Sequence, residues 1–256
     1  MTTTGSATGT PDRPRVRGEV VPAAFDDVAS TYDLMVRLSP GYHAQLRESA
    51  AALVEALPVE PGRRPLLLDL GCGSGASTAA LVHALRAAGR EADIIGVDGS
   101  AGMLAQARRK RWPAGVTFRQ ADAETLGRDD LADADGVFAA YLLRNVAARD
   151  RLLRQVHDAL RPGGVLVVHD YSVRDSPSAR LIWHAVCWGV VIPLGAITAP
   201  RSPIYRYLWR SVLDFDGVHR LADRMVAAGL VEVESRSVRG WQRGTVHTWR
   251  GRRAQA

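Results

Sequence analysis

The stretch LLLDLGCGSGAS, residues 66–77, constrains the fold more than any other part of the chain. An apolar run ends in an acid, Asp69, and glycines follow on alternate positions, Gly71, Gly73 and Gly75. The apolar run predicts a strand buried on both faces, and the Ala-rich segment that follows predicts a helix over 77–88. Glycines where a strand turns into a helix let a ligand lie against bare main chain, because no Cβ stands in the way. Such a turn belongs at the carboxyl edge of an open α/β sheet, where ligands bind.

The same strand–helix unit recurs. Strands are predicted at 65–70, 93–97, 116–120, 136–141 and 165–169, with helices at 77–88, 100–110 and 148–160 between them. Ser100 supplies an N-cap for the second helix, and Arg161-Pro162-Gly163-Gly164 ends the third. The rhythm breaks after Asp170, where residues 181–198 (LIWHAVCWGVVIPLGAIT) are long and apolar. A helix at 216–228 and strands at 230–238 and 245–249 close the pattern. Strand–helix alternation of this kind predicts an α/β fold, Rossmann-like and doubly wound, with a mostly parallel seven-stranded sheet and helices on both faces.

Residues 1–22, rich in Thr, Gly, Pro and Arg without periodicity, read as a disordered tail, and 252–256 as a second short tail. Between them, 23–251 reads as one domain. Within it 24–57 forms two helices broken near Ser39-Pro40-Gly41, and 171–215 is an insert after the fifth strand.

The net charge is +6, and almost every basic residue is arginine. An anionic membrane surface, nucleic acid or a codon bias would each account for that balance. The arginines are scattered, without the interleaved stacking aromatics of single-strand binding, so no nucleic-acid partner is expected. Peripheral contact with an anionic membrane is kept as an expectation. Cys72 and Cys187 are too few for a disulfide framework and wrongly spaced for a zinc site, so no metal is expected. Cysteine usage and the lack of a secretory apolar core point to the cytoplasm, at most against the inner face of its membrane. The 181–198 segment approaches bilayer-spanning length, but Pro193, His184 and two glycines interrupt and dilute it. A lid over a greasy pocket, ordinary core or a homodimer contact are its other readings.

Three acids decide the ligand. A dinucleotide loop has the spacing G-x-G-x-x-G and an acid about 20 residues on. Here the spacing is G-x-G-x-G with Asp69 in front, which would repel a pyrophosphate but suits a cation that carries an amino acid. Asp98 closes the second strand in GVDGSAGML, beside the first loop, and a carboxylate there can accept both hydroxyls of a ribose. Met103 lies one turn further and can pack on a purine face; Asp122, in FRQADAET, ends the third strand near where an adenine amino group would lie. Singly, Asp69 reads as a cap, Asp98 as a turn residue and Met103 as core; their order and spacing carry the ligand reading.

LDLGCGSG, GVDGSAGML and QADAETL resemble the successive motifs of class I S-adenosylmethionine (SAM) methyltransferases. The resemblance implies SAM as cofactor. It places Asp69, Gly71, Cys72, Gly73 and Gly75 at its amino-acid arm, and Asp98 with Gly99 at the ribose. Met103 then covers the adenine face, and Asp122 with Ala123 its edge. A narrower resemblance runs from Phe25 onward. AFDDVASTYDLM, LLRNVAARDRLLRQVHDALRPGGVLVVHDYS and PIYRYLWRSV are similar to segments of the ubiquinone/menaquinone-biosynthesis C-methyltransferases. That resemblance implies C-methylation of a prenylated (hydro)quinone such as demethylmenaquinol, a hydrophobic aromatic substrate. It also implies an N-terminal lid over 24–57, on which Tyr32 contacts SAM, and a substrate-facing role for the insert. Two other readings stay open: methylation of an aromatic or prenylated secondary metabolite, and a SAM-fold protein that binds without transfer.

An aromatic carbon becomes a good nucleophile when an adjacent hydroxyl loses its proton, so the site needs a cation or base shielded from water. By resemblance Arg144, in YLLRN after the fourth strand, lowers the pKa of that hydroxyl; its other reading is a pair with a structural acid. Tyr141 either lines the methyl path or fills space, and Asp170 acts as base or as partner. Asn145 either fixes the loop or meets substrate. Trp183, Tyr205, Tyr207 and His247 are candidates for the substrate wall, with core packing as the alternative for each. His247, like His169 and His184, fits a satisfied structural histidine better than a catalytic one.

Overall fold

Strand β1 (Leu66–Leu70) sits in the middle of the sheet, paired parallel with β2 (Asp93–Asp98) on one side and β4 (Ala134–Ala140) on the other. This computed structural model describes residues 41–58, 60, 62–123, 125–126, 133–198 and 204–255. Tyr32, the 1–22 tail and the first part of 24–57 lie outside the described residues. β3 (Val116–Gln120), β5 (Leu160–Tyr171), β6 (Leu230–Ser237) and β7 (Val246–Arg253) complete seven strands in the order β3-β2-β1-β4-β5-β7-β6. Only β7 runs antiparallel to its neighbours, so the sheet is mixed and mostly parallel, as the alternation predicted. The chain winds outward from β1 to β3 and then crosses back to β4. The carboxyl ends of β1 and β4 are therefore a topological switch point, where the two loops diverge and leave a crevice.

The central strands read as unbroken apolar runs because both of their faces are covered. Leu67, Phe138 and Val167 point into one core with Leu53 and Leu81; their sequence neighbours Leu68, Val137 and Val168 point into the other with Phe215 and Trp249. Helix α1 (Tyr42–Ala56) buries Leu46, Ala50, Leu53 and Val54 against α2 (Ala76–Ala87) and the sheet. That corrects the lid assigned to 24–57: its second half is a layer of the core, since its apolar stripe is buried under the sheet. Helices α3 (Ala101–Arg108) and α4 (Arg149–Ala159) fill the other crossovers. Ser100 caps α3 as predicted, accepting from the Met103 amide at 3.0 Å.

Three other expectations change. β5 begins at Leu160 rather than 165, because Leu160 pairs with Ala134 and a bulge absorbs the Pro-Gly-Gly turn before Val165 meets Gly136. Residues 252–253 are strand, not tail: Arg252 donates to the Gly163 carbonyl at 2.6 Å and Arg253 to the Asp158 carbonyl at 3.0 Å, which ties β7 to the start of β5. Pro193 does not break the apolar insert. Helix α5 (Pro177–Val186) runs through a π-turn (Cys187–Val191) into α6 (Ile192–Thr198). The Ile192 amide reaches back to the Cys187 carbonyl, and this widened turn accepts the proline ring. Helix α7 (Ile204–Asp214) packs on α5, and α8 (Val218–Ala227) leads to β6.

Candidate active site

The crevice at the switch point is an open cavity lined by the loops after four strands. Gly71, Cys72, Gly73 and Ser74 line it from the loop after β1, Asp98, Gly99 and Met103 from β2 and α3, and Asp122 and Ala123 from the segment after β3. Tyr141, Leu142, Arg144 and Asn145 line it from the loop after β4. Parallel strands aligned in register deliver these loops to one edge, so residues far apart in sequence meet there. The Asp98 carboxylate accepts the Gly73 amide through Oδ2 and the Ser100 amide through Oδ1, both at 2.8 Å. This locks the first loop to the second. Gly73 has φ 54°, and a Cβ there would stand 3.4 Å from the Met103 methyl, so the loop's main chain and Met103 border a narrow slot.

Two motif residues serve the scaffold instead. Asp69 is fully buried, does not line the cavity, and takes the Thr78 and Ser77 hydroxyls on Oδ2 at 2.6 and 2.8 Å. Burial pushes its carboxyl up to about 7 against the pull of those two hydroxyls, with Asp98 pushing it slightly further. It braces the loop onto α2 from behind. Gly75 also lies off the cavity. It precedes α2 with φ 92°, and a Cβ there would meet the Trp112 ring at 2.8 Å.

Beyond the loops, Arg144 and Asp170 form a buried pair, Nη1 to Oδ1 at 3.1 Å, with Arg144 opening on the cavity and Asp170 behind it. Burial raises the Asp170 carboxyl, and the guanidinium together with the Tyr171 and Arg144 amides pulls it back. The two alternative readings of Arg144 are therefore compatible, since the same group pairs with an acid and faces the cavity. Asn145 donates to the Tyr141 carbonyl and accepts the Tyr207 hydroxyl at 3.1 Å, so Tyr207 reaches the site through Asn145.

Tyr141 holds φ 57°, a conformation bulky residues avoid, at the end of β4. Its ring stacks on Tyr42 (5.1 Å between centroids, 15°), and its hydroxyl meets His169 Nε2 at 3.3 Å. Burial lowers His169 to about 3, so the ring is neutral, and its other nitrogen meets Thr248 Oγ1 at 2.9 Å. Tyr42 lines the cavity and was not singled out from sequence; its signal was an aromatic directly after Pro40-Gly41, at the start of a helix.

Three proposed wall residues lie elsewhere. Trp183 is buried on the inner side of the insert helix, tilted against Tyr171 at 4.8 Å, and its indole N–H donates to the Trp209 carbonyl. Tyr205 fits against Gly195, in the contact between α6 and α7. His247 packs beside Trp249 at 5.7 Å, outside the cavity lining, with burial lowering its pKa. All three are held by packing between elements rather than by the crevice.

The cavity's chemistry fits SAM: a carboxylate at the end of β2 for a ribose, bare main chain for an amino-acid arm, a methionine for a purine face and Asp122 for its edge. A glycine loop of this form at the switch point of a 3-2-1-4-5-7-6 sheet defines the fold of class I SAM-dependent methyltransferases. The chain belongs to the ubiE/COQ5 methyltransferase family, which matches residues 14–250, and to the SAM-dependent enzymes that family comprises. It is 36% identical over 207 residues to a demethylmenaquinone methyltransferase of Thermus thermophilus, covering 80% of this chain and 90% of that one. It is 31% identical over 220 residues to a ubiquinone/menaquinone biosynthesis C-methyltransferase of Methylobacterium nodulans, covering 84% of each. Among solved structures, the [4+2]-cyclase SpnF superposes with TM-score 0.65 at 18% identity, over 98% of this chain and 100% of that one. A SAM-dependent methyltransferase of Thermotoga maritima gives 0.59 at 20% identity, over 90% and 98%. These two likenesses concern the fold alone.

Proposed function

We propose that the chain methylates a ring carbon of a prenylated hydroquinone of the demethylmenaquinol kind. SAM supplies a methyl group on a sulfonium, already activated to leave. The observation that carries the reading is the Arg144–Asp170 pair, a largely buried cation that opens on the cofactor cavity with a fully buried acid behind it. A phenolic hydroxyl set against Arg144 would give its proton to solvent more readily and push charge onto the ring carbon. That carbon would take the methyl as the methyl–sulfur bond breaks, with the thioether as leaving group. Loss of the ring proton to solvent, with reprotonation of the oxygen, would restore the hydroquinone. Asp170 orients the guanidinium through Oδ1 and the Arg144 amide through Oδ2. Asn145 and Tyr207 hold the loop that carries it, and Tyr42 and Tyr141 present aromatic surface to a flat ring. The names of the two relatives support the acceptor class.

The test is methyl-labelled SAM with a panel of quinols, naphthols and simple phenols. The expected product carries base-stable label on a ring carbon of a prenylated quinol. Label on oxygen, or only on unprenylated phenols, favours the secondary-metabolite reading, and SAM binding without transfer to any acceptor removes the catalytic one. Arg144→Lys keeps the charge beside Asp170 but loses the planar fork; it should bind SAM normally and lose about 10²-fold in kcat. Wild-type turnover in that variant would remove Arg144 from the chemistry.

A further inference from the structure

Pro177–Ala196 is one continuous helical run, long and apolar enough to cross a bilayer, yet only 22% of its most apolar window is buried. Its inner stripe, Ala179, Trp183 and Cys187, packs with Val173 and Val212. Its outer surface exposes Leu181 (70%), Val190 (58%), Trp188 (52%) and Ile182 (39%). No Asp, Glu, Lys or Arg occurs from 181 to 198, and His184 accepts the Trp209 indole N–H at 3.1 Å. The turn before β7 lies against the inner side of the first helical turn, where the Cβ position of Gly244 is 3.9 Å from that of buried Ala179, and Trp241 in the same turn is half exposed. Arg180 on the helix, Arg174 just before it, Arg206 on α7 and Arg239 and Arg243 near the turn before β7 are all exposed, and none is in an ion pair with a described residue.

We propose that this face is a docking surface for a lipid bilayer with anionic headgroups. A greasy strip that carries an exposed indole, Trp188, with exposed guanidinium groups on the helix and on neighbouring segments, has the composition of a helix that lies in the plane of a membrane interface. The arginines draw it to anionic lipid. A second copy of the chain fits less well, because a two-fold contact would bring the same guanidinium groups against one another. Spanning is also disfavoured: inserting the helix would tear its inner stripe from Val173 and Val212 and break both indole hydrogen bonds that tie α5 to α7. The inner side packs toward the cavity wall, since Trp183 lies tilted against Tyr171 at 4.8 Å, Tyr171 lies 5.2 Å from Tyr141, and Tyr141 lines the cavity. Resting on the quinol reading, a bilayer held on this face would keep an apolar acceptor concentrated beside the enzyme.

The test is flotation of the full chain with vesicles of phosphatidylglycerol and phosphatidylcholine in equal parts, against vesicles of phosphatidylcholine alone. The chain should float with the anionic vesicles and much less with the neutral ones. Both Leu181→Glu/Val190→Glu and Arg180→Glu/Arg239→Glu should weaken flotation by about tenfold or more. Each should keep the wild-type rise in Tm with SAM, which shows that the variant is folded. Wild-type chain that responds to SAM but stays with the aqueous phase overturns the proposal. So does undiminished flotation of both variants, or a wild-type dimer that Leu181→Glu/Val190→Glu splits, which would assign the face to a second copy. Flotation does not depend on turnover: vesicle binding with no quinol labelled upholds the surface and sinks the substrate reading alone.

Discussion

Gly75 belongs to the cofactor motif by sequence but to helix packing by position, and the two roles predict different outcomes for Gly75→Ala. The residue has φ 92° and ψ 20°. An alanine there pays the left-handed cost of about 1–2 kcal/mol. Its methyl would also stand 2.8 and 3.0 Å from two ring carbons of Trp112, and the indole cannot swing away without losing its 2.8 Å hydrogen bond to the Ala107 carbonyl. Overpacking of this kind costs about 1–3 kcal/mol. The sum is about 2–5 kcal/mol, which for a domain of this size lowers Tm by roughly 5–15 °C. Thermal unfolding followed by circular dichroism reads that loss. Below the transition, SAM affinity by calorimetry should stay within about threefold of wild type, because Gly75 does not line the cavity. Trp112→Ala opens the space, so the double variant should be less destabilised than the two single losses summed, with a coupling of about 1–3 kcal/mol. Strict additivity, or an unchanged Tm in Gly75→Ala, would refute the packing argument; a stable variant that no longer binds SAM would return Gly75 to the ligand.

Asp69 carries a pH signature. Its folded pKa of about 7 exceeds the ordinary 3.8, so between those values the folded state holds a proton that the unfolded chain releases, and stability falls as pH rises from about 4 to 7. Three units correspond to about 4 kcal/mol, and Asp69→Asn, which cannot ionise, should flatten that part of the profile in urea titrations; parallel profiles would contradict the assignment. Asp98→Ala removes the carboxylate that joins the Gly73 and Ser100 amides, and should cut the SAM-induced rise in Tm, about 5–10 °C at a hundredfold excess over Kd, to near zero. Truncation after residue 251 removes guanidinium bonds to the carbonyls of Gly163, Ala56 and Asp158 among others, and should cost about 2–4 kcal/mol; full stability without them would restore 252–256 as a tail.

The architecture was legible because period and punctuation act locally. Apolar runs of five or six residues ending in Asp or Gly, each followed by an amphipathic segment, leave a parallel sheet as the arrangement that covers every face, and the seven strands appear where the runs are. What escaped was decided by partners distant in sequence. The bulge that starts β5 at Leu160 exists because Ala134 offers a pairing edge there, and residues 252–253 extend β7 because β5 presents carbonyls to their guanidinium groups. Pro193 looked like an interruption, yet one wide turn accommodates it. A proline's cost depends on the local hydrogen-bond step, which residue types do not display.

The site divides along the same boundary. Asp98, Met103 and Asp122 could be placed from sequence because a strand end and its register determine where such residues go, and the structure brings them to one cavity. Asp69 and Gly75 belong to the same motif and yet turn away from it, one toward the Ser77 and Thr78 hydroxyls and one toward Trp112. A glycine spared a Cβ for the sake of a ligand and a glycine spared one for the sake of an indole are the same letter. Tyr42, which does face the cavity, carries no motif, because its place is set by stacking on Tyr141, 99 residues further along the chain. Motif membership therefore constrains where a segment lies, while the role of each residue within it follows from what stands within about 4 Å of its side chain. For this chain that criterion sets the β2 carboxylate and the glycine loop at the cavity, and sets the motif's first acid behind the loop, where it holds the loop in place.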